Sequence, residues 1–372
     1  MTAEATRDLG VETRRAALEA LLRVENDGAY ANLATDAILE RSGLEPRDRG
    51  FVTDLVYGTC RMQRGCDHLV DRHRRGEVST RVRVALRLGA YQLAFGGVAA
   101  HASVSATVGA SPRPARGLVN AVLRRVADDV ADGVAWPDEA TRLSYPDWIV
   151  RELQEFLGSE RAHVCLGAMN VPATTHVRAD GYVQDVASQA VIEAVAAQPH
   201  DRVLDLCAAP GGKATGIAAA SGAVVAADRS TTRAPLVRDN ARSTGTRVPV
   251  VVADGHDAPF PPASFDRVLV DAPCSGLGVL RRRPDARWRI DVDAPARLAG
   301  LQRELLDEAA LLVAPDGLLV YSVCTLTRAE TDEVVGDVDL PAGFEFGERT
   351  VISPDEDRDG MFVATWWRRP VP

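Results

Sequence analysis

Lysine is nearly missing from this chain. Of its 43 basic residues only Lys213 is a lysine, and the rest are arginine. No C-x-x-C pair occurs among the six cysteines, so neither zinc ligation nor a disulfide framework is suggested. No apolar run approaches a membrane span, and the opening MTAEATRDLG has no signal-peptide core. An overall positive charge is also lacking. The formal net charge of −9 gives no global attraction to a polyanion, so any such contact would depend on local clusters. With 46% hydrophobic and 26% charged residues, the 372-residue chain reads as a soluble protein with room for two domains. Free thiols fit a reducing, cytoplasmic setting.

Three apolar, strand-like runs end in chemically active residues. Val203-Leu204-Asp205-Leu206 opens into Cys207-Ala208-Ala209-Pro210-Gly211-Gly212-Lys213. Arg267-Val268-Leu269-Val270 leads to Asp271-Ala272-Pro273-Cys274, and Leu318-Leu319-Val320-Tyr321 leads to Ser322-Val323-Cys324. In an open α/β sheet, ligands collect at the carboxyl ends of the strands. Two thiols and a glycine turn at three such ends predict one active site.

The glycine turn narrows the ligand. A strand running into two glycines and a helix from Ala214 lets backbone amides approach a bound group. A P-loop would need Gly in place of Cys207 and Ser or Thr in place of Ala214, and Gly-x-Gly-x-x-Gly is absent. The next strand, expected over 223–227, ends in Asp228, where an acid commonly accepts ribose hydroxyls. A third, over 248–253, ends in Asp254, placed to meet an adenine amino group. Nucleoside recognition without a phosphate cradle points to S-adenosylmethionine. Lys213, surviving alone in an arginine-rich chain, invites a functional reading, because a compact ammonium is not replaceable by a guanidinium.

Two thiols and a carboxyl suit one reaction in particular. Carbon 5 of a cytosine is too weak a nucleophile to take a methyl group from a sulfonium. A thiolate added to carbon 6 makes it enamine-like, helped by a carboxyl group donating at N3. The hydrogen on carbon 5 must then leave and the thiolate be expelled, which a second cysteine can assist. Asp271, Cys274 and Cys324 supply that set. Cys165 and Cys207 read as small buried hydrophobes, the usual fate of free cysteine.

The segments 203–213, 271–289 (DAPCSGLGVLRRRPDARWR), 319–326 (LVYSVCTL) and 359–364 (DGMFVA) closely resemble the RsmB-type (Sun/Fmu) RNA cytosine-5 methyltransferases. Tyr182-Val183-Gln184-Asp185 with Ser188-Gln189 resembles that family's entry into the catalytic domain. The resemblance implies Cys324 as nucleophile and Cys274 as the residue that aids release, with Asp271 and Lys213 also in the catalytic set. It implies cofactor contacts at Cys207, Ala208, Ala209, Pro210, Gly211, Gly212, Lys213, Asp228, Asp254 and Asp271. The expected substrate is RNA, most plausibly 16S ribosomal RNA, and the expected state is a monomer without metal.

The N-terminal part reads as helix throughout. Leu18, Leu21 and Leu22, and later Leu118, Val119, Val122, Leu123 and Val126, recur at helical spacing. Gly43 with Glu45-Pro46 marks one helix ending and another beginning. The phrases at 28–33, 47–51, 55–59 and 86–93 resemble a NusB-like RNA-binding domain. The expected fold is therefore α + α/β: an all-helical NusB-like domain over 1–132, a linker and shortened pre-catalytic region over 133–181, and a Rossmann-like methyltransferase domain over 182–372.

Residues 1–132 carry 19 arginines against 17 acids, and residues 133–372 carry 24 basic against 35 acidic residues. The negative charge thus belongs to the catalytic half. Arg281, Arg282, Arg283, Arg287 and Arg289, just after the Cys274 turn, form the first candidate RNA contact. Arg72, Arg74, Arg75, Arg81, Arg83 and Arg87 form a second. The family usually inserts a small RNA-holding subdomain between Arg178 and Tyr182, where only Ala179, Asp180 and Gly181 stand here. Three other readings stay open: methylation of another RNA such as tRNA, a DNA cytosine-5 methyltransferase with Cys274 as the attacker, and a non-catalytic ribosome assembly factor.

Overall fold

Glu45 is extended and Pro46 takes the first helical position, where its missing N–H costs nothing. The signal at 43–46 is therefore a real boundary, between the helices Ala31–Leu39 and Pro46–Arg61. The computed structural model describes residues 3–221 and 223–370, with side chains from residue 10 onward. The chain divides into two compact units, Met1–Asp147 with Arg282–Arg289, and Trp148–Arg281 with Ile290–Pro372.

The first unit is helical. Besides those two helices it holds Ala3–Asp27, Gln63–Asp71, Thr80–Ala94, Ala100–Ala110 and Arg116–Asp132. Leu18, Leu55, Leu69, Leu86, Leu88 and Leu123 are buried in its core. Residues 133–146, the first part of the region expected as linker over 133–181, belong to this unit. Asp138 caps the helix Glu139–Leu143 by accepting from the Thr141 amide at 2.6 Å, and Tyr145 is fully buried.

The second basic stretch is partly paired within this unit, while Arg72, Arg75 and Arg81 are exposed. Arg87 is buried and makes two 2.8 Å bonds to Asp67, Arg83 also reaches Asp67, and Arg72 reaches Asp129. A charge run in sequence looks the same whether its partners are acids or water.

The second unit starts with helices Asp147–Leu157 and Ser159–Ala168, so most of the region expected as linker belongs to it. Ala179-Asp180-Gly181 form a tight turn between the bridged residues Val177 and Val183, with Gly181 donating to the Arg178 carbonyl at 2.9 Å. The sheet has seven strands: β1 (Val203–Asp205), β2 (Val224–Asp228), β3 (Val250–Val252), β4 (Phe265–Asp271), β5 (Val313–Val323), β6 (Phe344–Ile352) and β7 (Met361–Arg368). Their order is β3-β2-β1-β4-β5-β7-β6, the first five parallel and β7 antiparallel to both neighbours. Leu204, Val268, Leu269, Leu319 and Val320 are fully buried, as strands covered on both faces require. Strand order reverses between β1 and β4. Their carboxyl ends therefore border the crevice where ligands bind in open α/β sheets.

Candidate active site

Register brings the chemistry together. Asp271 ends β4 directly opposite Ser322 of β5, and its Oδ1 accepts from Ser322 Oγ at 2.7 Å. Its Oδ2 accepts from Lys213 Nζ at 2.7 Å. Lys213, 11% exposed, stands on the first turn of the helix Gly212–Ser221 after β1. Burial alone would strip its proton. The charge and hydrogen bond of Asp271 outweigh that, and the ammonium is held more firmly than in water.

Two residues beyond Ser322 lies Cys324, and three beyond Asp271 lies Cys274; their sulfurs are 3.3 Å apart. Cys274 holds its proton strongly, first through its hydrogen bond to Cys324 and then through burial. Either sulfur can donate in this contact. Cys207 is also pushed up by burial, and Cys165 is buried, in keeping with their reading as hydrophobes.

The turn after β1 is shaped for close approach. Gly211 has φ +106°, and a Cβ there would lie 2.9 Å from Val237 Cα, so only glycine fits. Asp228, 3% exposed at the end of β2, accepts from the amides of Ala209 at 3.0 Å and Ser230 at 2.8 Å. It thereby ties the glycine turn to the second strand. Asp254 lies more exposed beyond β3, and its carboxylate is held low by hydrogen bonds from His256 Nδ1 at 2.8 Å and the His256 amide at 3.2 Å.

Sequence reasoning missed Asp205. Its carboxyl is fully buried at the end of β1, and neither oxygen has a hydrogen-bond partner. Burial, with the like charge of Asp271, raises its pKa to about 8; Lys213 offsets part of this, and the Cys207 amide pulls weakly the same way without closing a bond. The signal was a carboxylate inside an apolar strand run. An orphaned buried acid beside a glycine turn fits a ligand that brings positive charge, as S-adenosylmethionine does.

The arginine cluster needs correction. Arg281 is buried against Asp359, Nε to Oδ1 2.8 Å. Arg287 is buried in the helical unit, donating to the carbonyls of Arg61 at 3.2 Å and Ser144 at 3.1 Å and stacking over Tyr145. Arg289 donates to the carbonyls of Gly28 and Ala29 and lies over Tyr30. Burial lowers the Arg287 pKa to about 10. The Arg281 and Arg287 guanidinium groups serve internal packing rather than a phosphate surface, whereas Arg289 is exposed. Arg283 is exposed and Arg282 half-buried.

Known proteins share this chain's sequence pattern and fold. Residues 192–366 match the family model described as 16S rRNA methyltransferase RsmB/F, and residues 11–128 match the NusB family. The chain is 36% identical over 355 residues to the ribosomal RNA small subunit methyltransferase B of Thermus thermophilus, covering 87% of this chain and 86% of that one. It is 31% identical to the enzyme of the same name from Vibrio cholerae, covering 95% and 97%. That second alignment runs over 431 positions, more than this chain has, so it opens gaps here. Among solved structures, that of PH0851 has the same fold, with TM-score 0.75 at 20% identity over 96% of this chain and 98% of that one. On this evidence the chain belongs to the RsmB/F family of S-adenosylmethionine-dependent ribosomal RNA methyltransferases and carries a NusB-family helical domain ahead of its catalytic sheet.

Proposed function

We propose that this protein methylates carbon 5 of a cytosine in small-subunit ribosomal RNA, with Cys324 as nucleophile and Cys274 as the residue that assists release. The observation that carries this reading is the 3.3 Å approach of the two sulfurs at the ends of β4 and β5, beside the Lys213–Asp271 pair. One thiol is enough to attack. A second, in contact with the first, has its use when the first departs.

When bound, S-adenosylmethionine supplies an electrophilic methyl group. Gly211, Gly212, Asp228 and Asp254 are the residues proposed to hold its nucleoside, with Asp205 toward its charged end. Cys324 adds to carbon 6. Asp271, held by hydrogen bonds from Lys213 and Ser322, is the carboxyl proposed to serve N3. For release, the C5–H bond breaks, its electrons form the C5–C6 double bond, and the C6–S pair returns to Cys324. The proton passes to water, and Cys274 S–H is placed to hydrogen-bond the departing sulfur.

The DNA-type reading would exchange the thiols. The NusB-family domain speaks against that. Removing each thiol tests the assignment. Cys324→Ala should give neither methylation nor adduct, whereas Cys274→Ala should accumulate an RNase-sensitive covalent band. An adduct confined to Cys324→Ala would overturn it.

A further inference from the structure

Six residues beyond Cys324 stands Glu330, a fully buried carboxylate with four donors around it. Its Oε1 accepts from the Ser275 amide at 2.8 Å and from Gln302 Nε2 at 3.1 Å. Its Oε2 accepts from the Ser275 hydroxyl and from Thr327 Oγ1 at 3.1 Å. Ser275 is the residue after Cys274. On the other side of Cys274, the Pro273 carbonyl accepts from the same Gln302 amide at 2.9 Å. Gln302 is itself fixed through its Oε1, which accepts from Tyr321 OH of β5 at 2.8 Å. The peptide groups on both sides of Cys274 are thus gripped by one buried pair, Glu330 and Gln302.

The second sulfur is tied to the same pair. Ser275 Oγ lies 2.7 Å from Thr325 Oγ1, and Thr325 follows Cys324. A carboxylate only accepts, so the single Ser275 hydroxyl hydrogen goes to Glu330, and Thr325 must donate to Ser275. The direction of the chain Thr325 to Ser275 to Glu330 is therefore set by the negative charge at its end. Without that charge, nothing fixes which way the two hydroxyls point.

We infer that Glu330 is a positioning residue that sets the distance between the two thiols, acting through Ser275 and Gln302, and that product release depends on it more than attack does. This rests on the proposed roles of Cys274 and Cys324. Cys324 reaches its substrate from the end of its own strand, whereas Cys274 stands on a loop that Glu330 and Gln302 hold. Release requires Cys274 S–H against the departing Cys324 sulfur as the C5 proton leaves to water and the C6–S bond breaks. A misplacement of ~1 Å in such a contact costs about 10²-fold.

The test uses the full-length protein, S-adenosylmethionine and 16S ribosomal RNA, comparing Glu330→Gln with Cys274→Ala and wild type. RNA containing 5-fluorocytosine reports attack alone, because its carbon 5 cannot lose a proton. The expected result for Glu330→Gln is trapping on fluorinated RNA within about three-fold of wild type, together with release from ordinary RNA slowed by about 10²-fold. The covalent band should then accumulate as it does with Cys274→Ala. Wild-type release, or attack and release falling in equal proportion, would overturn the inference. No accumulation in Cys274→Ala itself would instead refute the underlying roles of the thiols. Should Glu330→Gln fail to fold, Ser275→Ala, which removes only the bridging hydroxyl, carries the same comparison and the same outcomes.

Discussion

Arg281 and Asp359 form an ion pair closed to solvent, Nε to Oδ1 2.8 Å, with side chains 0% and 4% exposed. The remaining guanidinium nitrogens donate to the carbonyls of Asp355, Glu356 and Arg358. Asp359 in turn donates its amide to Asp185 Oδ1 at 3.1 Å, and Asp185 caps the helix Val186–Val195. The pair thus joins the end of the Cys274 loop to the entry of the catalytic unit. Breaking such a pair leaves a charge buried alone. Arg281→Ala should cost about 3–5 kcal/mol of stability, read by denaturant unfolding. Its RNA affinity, if measurable, should show the wild-type salt slope, and a flattened slope with unchanged stability would return Arg281 to the RNA surface.

Arg283 differs in being exposed. If it meets a phosphate, Arg283→Ala should lower RNA affinity and reduce the salt slope by about one unit. Arg287→Ala should instead destabilise the helical unit, since Arg287 bridges two carbonyls and a ring there. Titrations at several salt concentrations separate the two, and an identical slope for wild type and Arg283→Ala would leave Arg283 as a solvated charge.

Lys213 tests how Asp271 is held. Lys213→Met leaves Asp271 with Ser322 as its remaining side-chain donor among those described. Methyl transfer in a single turnover should fall by about 10²-fold, the usual cost of a misplaced catalytic group. Lys213→Arg should not restore it, because a planar fork cannot replace a compact ammonium in this half-closed site. Recovery with arginine would mean that charge alone is required.

The strand ends were legible in the sequence because each is local: a short apolar run, then a residue with chemistry. What register adds was not. Nothing in the order of residues places Asp271 opposite Ser322, or Ser275 against Glu330. The Asp359-Gly360 phrase was readable only by resemblance, and its physical work is plain in the structure. Gly360 donates to the Gly278 carbonyl at 2.8 Å while Gly278 donates to the Cys324 carbonyl at 3.0 Å. A Cβ on Gly278 would stand 2.3 Å from the Gly360 oxygen, so the two loops bearing the thiols are locked through a crossing only glycine permits. Arg281 and Arg287 misled for another reason. Burial depends on carbonyls far away in the chain, and composition carries no trace of them.

Asp205 offers the sharpest pH test. Its carboxyl titrates at about 8 in the folded chain against an ordinary 3.8. A group raised in this way contributes stability that is complete below about pH 4 and is lost as pH rises through about 8. Asp205→Asn, neutral throughout, should flatten that decline and be more stable than wild type near pH 8, by a few kcal/mol at most on the order of the linkage energy. Cofactor binding should show the opposite face of the same charge. At pH 7 the Asp205 carboxyl is mostly protonated, and a ligand bearing positive charge beside it favours the ionised form. Binding of S-adenosylmethionine to wild type at pH 7 should therefore release a proton, and binding to Asp205→Asn should be weaker and release none. Titration calorimetry in two buffers of different ionisation enthalpy counts that proton directly. Equal counts in the two proteins would show that Asp205 is an orphaned acid of the strand core rather than part of the cofactor site.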